Sequence, residues 1–123
     1  MILLAVAAGG FLGTVARYGL STWVQRRTGI TFPWGTLSVN LLGSLLLGAC
    51  LPVLAAGNAQ PRVSALVTVG AIGAFTTFST FAYEAFMLAR EDGAVRAALY
   101  AAASVTLGLL SLIAGFGLAT LIT

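Results

Sequence analysis

Twelve residues, Gly70 to Phe81, read GAIGAFTTFSTF and gather side chains suited to handling a small ion in an apolar setting. Thr76, Thr77 and Ser79 place hydroxyls among Phe75, Phe78 and Phe81, which recur every three residues, and Gly70 and Gly73 precede them. A hydroxyl can donate to an anion. A phenyl ring has a negative face and a positive edge, so ring edges turned inward can receive an anion without a formal charge. Weak sites of this kind suit conduction, because tight binding traps the ion.

Other polar residues recur at helical spacing inside apolar runs. Thr36, Asn40 and Ser44 in WGTLSVNLLGS are spaced by four and share one face of a helix. An asparagine amide in hydrocarbon must be paired. Asn40 therefore either ties two helices together or presents its NH₂ donors to an anion, and the two roles are compatible. Tyr100, Ser104, Gly108, Ser111 and Gly115 form a similar stripe farther along. Lone hydroxyls often bond back to their own helix carbonyls; two matching stripes point to a polar track. Two charges also fall within apolar runs. Arg17 either snorkels toward Arg26 at a membrane surface or forms an electropositive mouth. Glu84 lies about a turn beyond the Phe/Thr segment. It is an ion-path candidate, or else pairs near Arg90 or sits in a wet vestibule.

Much chemistry is excluded. The 123 residues include no histidine, one cysteine (Cys50) and three acids, which cannot furnish a zinc site or a Ser-His-Asp or Cys-His catalytic set. No enzyme activity is expected. Only 7% of the chain is charged and 59% is hydrophobic, too little charge to cover a soluble domain. The net charge of +3 rests on six scattered arginines rather than a basic stripe, so nucleic acid is not an expected partner. The N-terminal run has no basic leader region and no clear cleavage site, so a removable signal peptide is not expected.

The elements that must position these groups are membrane helices. Apolar runs of about 20 residues match a hydrocarbon core about 30 Å thick, and four can be placed, at about 2–24, 34–56, 63–88 and 94–122. The expected fold is thus a single all-α domain of four antiparallel transmembrane helices, with Gly70–Phe81 breaking the third. An irregular backbone at membrane depth is tolerated only where it is buried in protein or lines a wet or ion-filled space. Gly9 and Gly13 make a GxxxG step that serves either packing within the bundle or self-association. A four-helix chain this small can hardly enclose a pore alone, which favours a dimer. Arg26, Arg27, Arg90 and Arg96 lie at one side against Arg62 at the other, which by the positive-inside rule places both termini outside.

GGFLGTVARY (9–18), WGTLSVNLLGS (34–44) and GAIGAFTTFSTF (70–81), in this order over essentially the whole chain, resemble the signature blocks of the Fluc/CrcB fluoride channels. The resemblance implies a passive fluoride-selective channel in the plasma (inner) membrane of a prokaryote. It also implies an antiparallel, dual-topology homodimer with two pores; the arginine bias also admits a pair with a homologous subunit. Asn40 then resembles the pore asparagine, Phe78 and Phe81 the pore-lining aromatics, and Tyr100 and Ser104 the polar track. Thr77 and Ser79 belong with that pore, while Arg17, Glu84 and Thr36 belong to a vestibule. Gly73 and Thr76 match positions whose backbone carbonyls, from both subunits, hold a structural Na⁺. Gly108 departs from the pattern, because it stands where the next hydroxyl of the track is expected; water or Ser111 could serve instead. The alternative reading is a small four-span, proton-coupled multidrug exporter that uses Glu84.

Overall fold

Apolar runs interrupted at Gly29–Pro33, Gly57–Gln60 and Asp92–Gly93 have one way to satisfy their backbone in lipid, which is to coil between the interruptions. The computed structural model describes residues 1–122, and the chain does so: α1 (Ile2–Thr28), α2 (Trp34–Ala56), a third rod from Pro61 to Glu91, and α6 (Ala94–Thr120). All four rods are long and apolar enough to cross a membrane, and no strand occurs among the described residues. The protein is a multi-pass membrane protein. α1 continues past Val24 to Thr28, where Gly29 ends it at φ 89°, a left-handed angle that favours glycine.

The third rod is composite. Pro61 starts a short α3 (Pro61–Ser64), Ala65–Ile72 winds as a wider π-helix, and Gly73–Phe75 (α4) returns to α geometry. Thr76 (φ −84°, ψ 160°) and Thr77 (φ −148°, ψ 113°) are extended, and α5 (Phe78–Glu91) begins after them. Gly73 itself keeps α dihedrals (φ −61°, ψ −35°), so the glycine does not supply the irregularity. The extended pair is held by side chains that replace the missing helical partners, as described below.

Small residues set the packing. A Cβ at Gly9 would strike the Leu66 carbonyl oxygen, and one at Gly13 the Ala71 carbonyl oxygen. The GxxxG step therefore packs within the chain, α1 against the π-helical stretch. α2 and α6 meet in the same way, Gly48 against the Leu112 carbonyl and Gly115 against the Leu45 carbonyl. Backbone approaches this close give the dispersion contact that drives helix association in lipid. At one end, Leu37, Leu88 and Tyr100 form a buried cluster beneath Phe32 and Phe81. Gln25 fastens the α1–α2 turn there: its amide donates to the Gly29 (2.5 Å) and Phe32 (2.9 Å) carbonyls and accepts from the Gly35 N–H (2.9 Å).

Candidate functional site

Asn40, about two turns into α2, faces the extended pair. Its Oδ1 accepts the Thr77 N–H at 2.8 Å and its Nδ2 donates to the Thr77 carbonyl at 3.1 Å. The side-chain amide thus pairs with Thr77 as a neighbouring β-strand would, and satisfies a backbone that has left its helix. One of the two Asn40 N–H groups is engaged in this way, so the amide does not offer both donors to an ion. Thr77 also caps α5. Its hydroxyl accepts the Thr80 N–H at 3.3 Å and bonds to the Thr80 hydroxyl at 2.9 Å and the Ser79 hydroxyl at 3.4 Å.

A cavity of about 320 Å³ opens on one side of this bracket, lined among others by Asn40, Ser44, Thr77, Phe78, Phe81 and Ser104. Gly73 and Thr76 border it too. Ser104 Oγ is buried without a hydrogen-bond partner, an arrangement that calls for a ligand or water. Phe81 joins Phe78 (centroids 5.7 Å) and Tyr100 (5.4 Å) in a chain of tilted rings. Phe81 is half-buried, whereas Phe78 is 79% exposed in the single chain. At the departure from the expected track, a Cβ on Gly108 would lie 3.7 Å from Ser44 Oγ. A hydroxyl from α2 therefore stands beside the place where α6 lacks one.

A second cavity, of about 470 Å³, lies on the other side of Thr77 and is lined by Thr14, Arg17, Ser21, Thr36 and Thr80. Arg17 Nη1 points to the Thr76 carbonyl at 3.5 Å. Arg17 therefore does not snorkel toward Arg26, because the backbone carbonyl at the extended pair offers it a partner at membrane depth.

Glu84 forms a third polar group. Thr36 donates to its Oε1 and Tyr100 to its Oε2, each at 2.8 Å. No ion pair to Arg90 forms; Arg90 instead lies over the Phe86 ring at 5.8 Å. Tyr100 is fully buried, with Phe32 packed edge-on at 5.4 Å, and its hydroxyl turns to Glu84 rather than into the Ser104 cavity. Of the two stripe residues, one turn apart on α6, Tyr100 bonds Glu84 and Ser104 lines the cavity. Ser79 is exposed on the single chain and lines neither cavity.

The carbonyls at Gly73 and Thr76 are the candidate cation ligands. The Thr77 N–H that would bond the Gly73 carbonyl in a continuous helix goes to Asn40, leaving a 3.4 Å contact from the Thr76 hydroxyl. Oxygen donors of this kind suit a hard cation, so the residues fit one, although one chain supplies only part of a shell.

The family profile for the CrcB-like protein, Camphor Resistance (CrcB), matches residues 4–116. The chain belongs to this family. The "Fluoride-specific ion channel FluC" of Hahella chejuensis is 47% identical over 121 residues, covering 98% of this chain and 95% of the relative. The protein of the same name from Thermus thermophilus is 44% identical, covering 94% and 91%. "Fluoride-specific ion channel FluC 1" of Nitrobacter hamburgensis is 45% identical, covering 92% and 90%. The CrcB-like relatives are named as channels, and this chain is likewise no enzyme.

Three features of the site escape sequence reasoning: Arg17 on Thr76, the double acceptance by Glu84, and Ser44 beside Gly108. Ser44 carried a signal, since it shares the Thr36–Asn40 face; the other two join residues on different rods, 16 to 59 positions apart along the chain.

Proposed function

We propose that this chain is a passive, fluoride-selective channel that lets cytoplasmic fluoride leave the cell. The observation that carries the proposal is its 47% identity, over nearly its whole length, to a protein named a fluoride-specific ion channel. The cavity beside Asn40 supports it: an uncharged lining of amide, hydroxyls and ring edges can replace part of an anion's hydration shell without holding it. Asn40, Phe78, Phe81 and Ser104 line this path, with Ser44 as the hydroxyl beside Gly108. Thr77 and Ser79 supply hydroxyls at the start of α5, although that of Thr77 is occupied in capping. Arg17, Thr36, Glu84 and Tyr100 shape the approaches, and Arg17 adds positive charge that raises the local anion concentration. A membrane potential negative inside drives an anion outward with about 2.3 kcal/mol per 100 mV, so no pump is needed.

The working unit is an antiparallel homodimer with two pores, or a pair with a homologous subunit, in the plasma membrane of a prokaryote. Two observations favour a second copy: the 79% exposure of Phe78 and the incomplete oxygen shell at Gly73 and Thr76. A structural Na⁺ bound to those carbonyls of both copies would tie the subunits at their centre.

Proteoliposomes loaded with fluoride or chloride test the reading, with efflux followed by ion-selective electrodes. Fluoride efflux far above chloride efflux is expected; equal rates, or no fluoride flux, overturn it. The exporter alternative finds little support, because both Glu84 oxygens accept hydrogen bonds inside the bundle. Loss of organic-cation efflux in Glu84→Gln, with fluoride permeability at background throughout, would reverse that judgement.

A further inference from the structure

Arg17 lies in an apolar helix, and a charge there needs a partner. Its partner is no carboxylate: the one ion pair among the described residues joins Arg96 to Asp92. The guanidinium instead faces the Thr76 carbonyl at 3.5 Å, where the helix has ended and carbonyls lack their N–H partners. The C-terminal end of a helical segment is a site of partial negative charge that a cation stabilises. Thr14, Ser21 and Thr36 line the same cavity as Arg17, where hydroxyl oxygens or water can accept from its remaining N–H groups.

We propose that Arg17 is a tethered cation for the extended threonine pair: it holds the Thr76 carbonyl when no metal does, and it weakens Na⁺ binding there. The proposal rests on the reading of Gly73 and Thr76 as cation ligands. A metal on the Thr76 oxygen, at about 2.4 Å as for hard cations, would lie within about 6 Å of the guanidinium nitrogen. Like charges at that separation, in the intermediate dielectric of a partly hydrated site, reduce affinity by about tenfold or more. Arg17 thereby keeps the extended pair intact at low Na⁺ and keeps the metal exchangeable.

Thermal unfolding of purified protein in detergent tests this, titrated with NaCl against N-methylglucamine chloride at constant ionic strength. Wild type is compared with Arg17→Gln, Arg17→Met and Arg17→Lys. The two neutral variants are expected to reach half of their Na⁺-dependent stabilisation at about tenfold lower Na⁺ than wild type, equivalent to about 1.4 kcal/mol. They should also be the less stable proteins without Na⁺, while Arg17→Lys stays near wild type. Equal midpoints in wild type and both neutral variants overturn the proposal and leave the cation reading standing. A wild type indifferent to Na⁺ beside responsive neutral variants upholds the proposal and removes the resident-cation reading for the native chain. No response in any of the four overturns both. Neutral variants that fail to fold at every Na⁺ concentration, where Arg17→Lys folds, also overturn it, since the metal then cannot take over from the guanidinium.

Discussion

The two cavities that flank Thr77 are made from similar material and are electrostatically unlike. On one side Arg17 brings a full charge fixed to a backbone carbonyl, with threonine and serine hydroxyls around it. On the other there is no formal charge, only the Asn40 amide, aromatic rings, and the hydroxyls of Ser44 and Ser104, the second of them unpartnered. A fixed cation stabilises structure and attracts anions, whereas an uncharged lining lets them pass. The division depends on one side chain. Asn40 pairs with both backbone groups of Thr77 and so stands between a charged cavity and an uncharged one.

Asn40→Ala is the most direct way to break this contrast. It leaves the Thr77 N–H and carbonyl without partners at membrane depth, and each buried unpaired group costs about 1–3 kcal/mol. A total loss of about 3 kcal/mol is expected, with fluoride flux at background. Thermal unfolding and liposome efflux check the two parts. Full stability with normal flux would mean that the bracket does not separate the cavities at all. Asn40→Asp sharpens the result, since a carboxylate still accepts the Thr77 N–H but repels its carbonyl.

Phe81→Ile ranks second. Phe81 joins Phe78 to Tyr100 and borders the neutral cavity. Isoleucine keeps most of the apolar volume and removes the polarised ring edge. Stability should fall by about 1 kcal/mol, as for other shape changes in a packed core. Flux should fall by up to about tenfold if the ring edge stabilises the anion by the upper range of aromatic contacts. Unchanged flux would reduce Phe81 to packing and leave amide and hydroxyls alone to carry the neutral side.

How much of this contrast was legible beforehand depends on which interactions are local. Hydropathy and run length marked the four rods, because lipid leaves an apolar segment little alternative to a helix. Asn40 and Ser104 stood out by type and spacing, since an amide or hydroxyl within a hydrocarbon run needs an explanation wherever it points. The glycines were a weaker guide. Gly70 and Gly73 suggested a loosened backbone, yet Gly73 is helical and the extended residues are Thr76 and Thr77. Gly70 matters for space, because a Cβ there would press on the Val6 carbonyl oxygen at 2.8 Å. The charged side was the hardest to foresee. Snorkelling is the default for an arginine two turns from a helix end, and only the carbonyls left unpaired by the extended pair make a nearer partner. For Glu84 the ion pair with Arg90 does not form, whereas the side chain does line an open cavity with Glu91 and Asp92 at that end of the bundle; its bonds to Thr36 and Tyr100 come from two other helices, and no spacing along α5 discloses them.

The smallest effect sharpens the comparison most, because it separates function from stability. Ser104 Oγ is buried without a partner, so removing it deletes an unsatisfied polar atom rather than a hydrogen bond. Ser104→Ala should leave thermal stability unchanged or raise it by up to about 1 kcal/mol, the scale of a relieved polar burial. Flux should fall a few-fold, since an ion shedding water would lose one donor of roughly that worth. A native asparagine, serine or threonine whose hydrogen bond is structural behaves oppositely, losing stability first and function as a consequence. Gly108→Ser supplies the counter-experiment: a hydroxyl added to α6 beside Ser44 Oγ meets ordinary contact distance rather than backbone. It should restore part of the flux to Ser104→Ala. If Ser104→Ala instead loses stability and Gly108→Ser restores nothing, the neutral cavity is a packing defect, and the two sides of Thr77 differ in charge without differing in task.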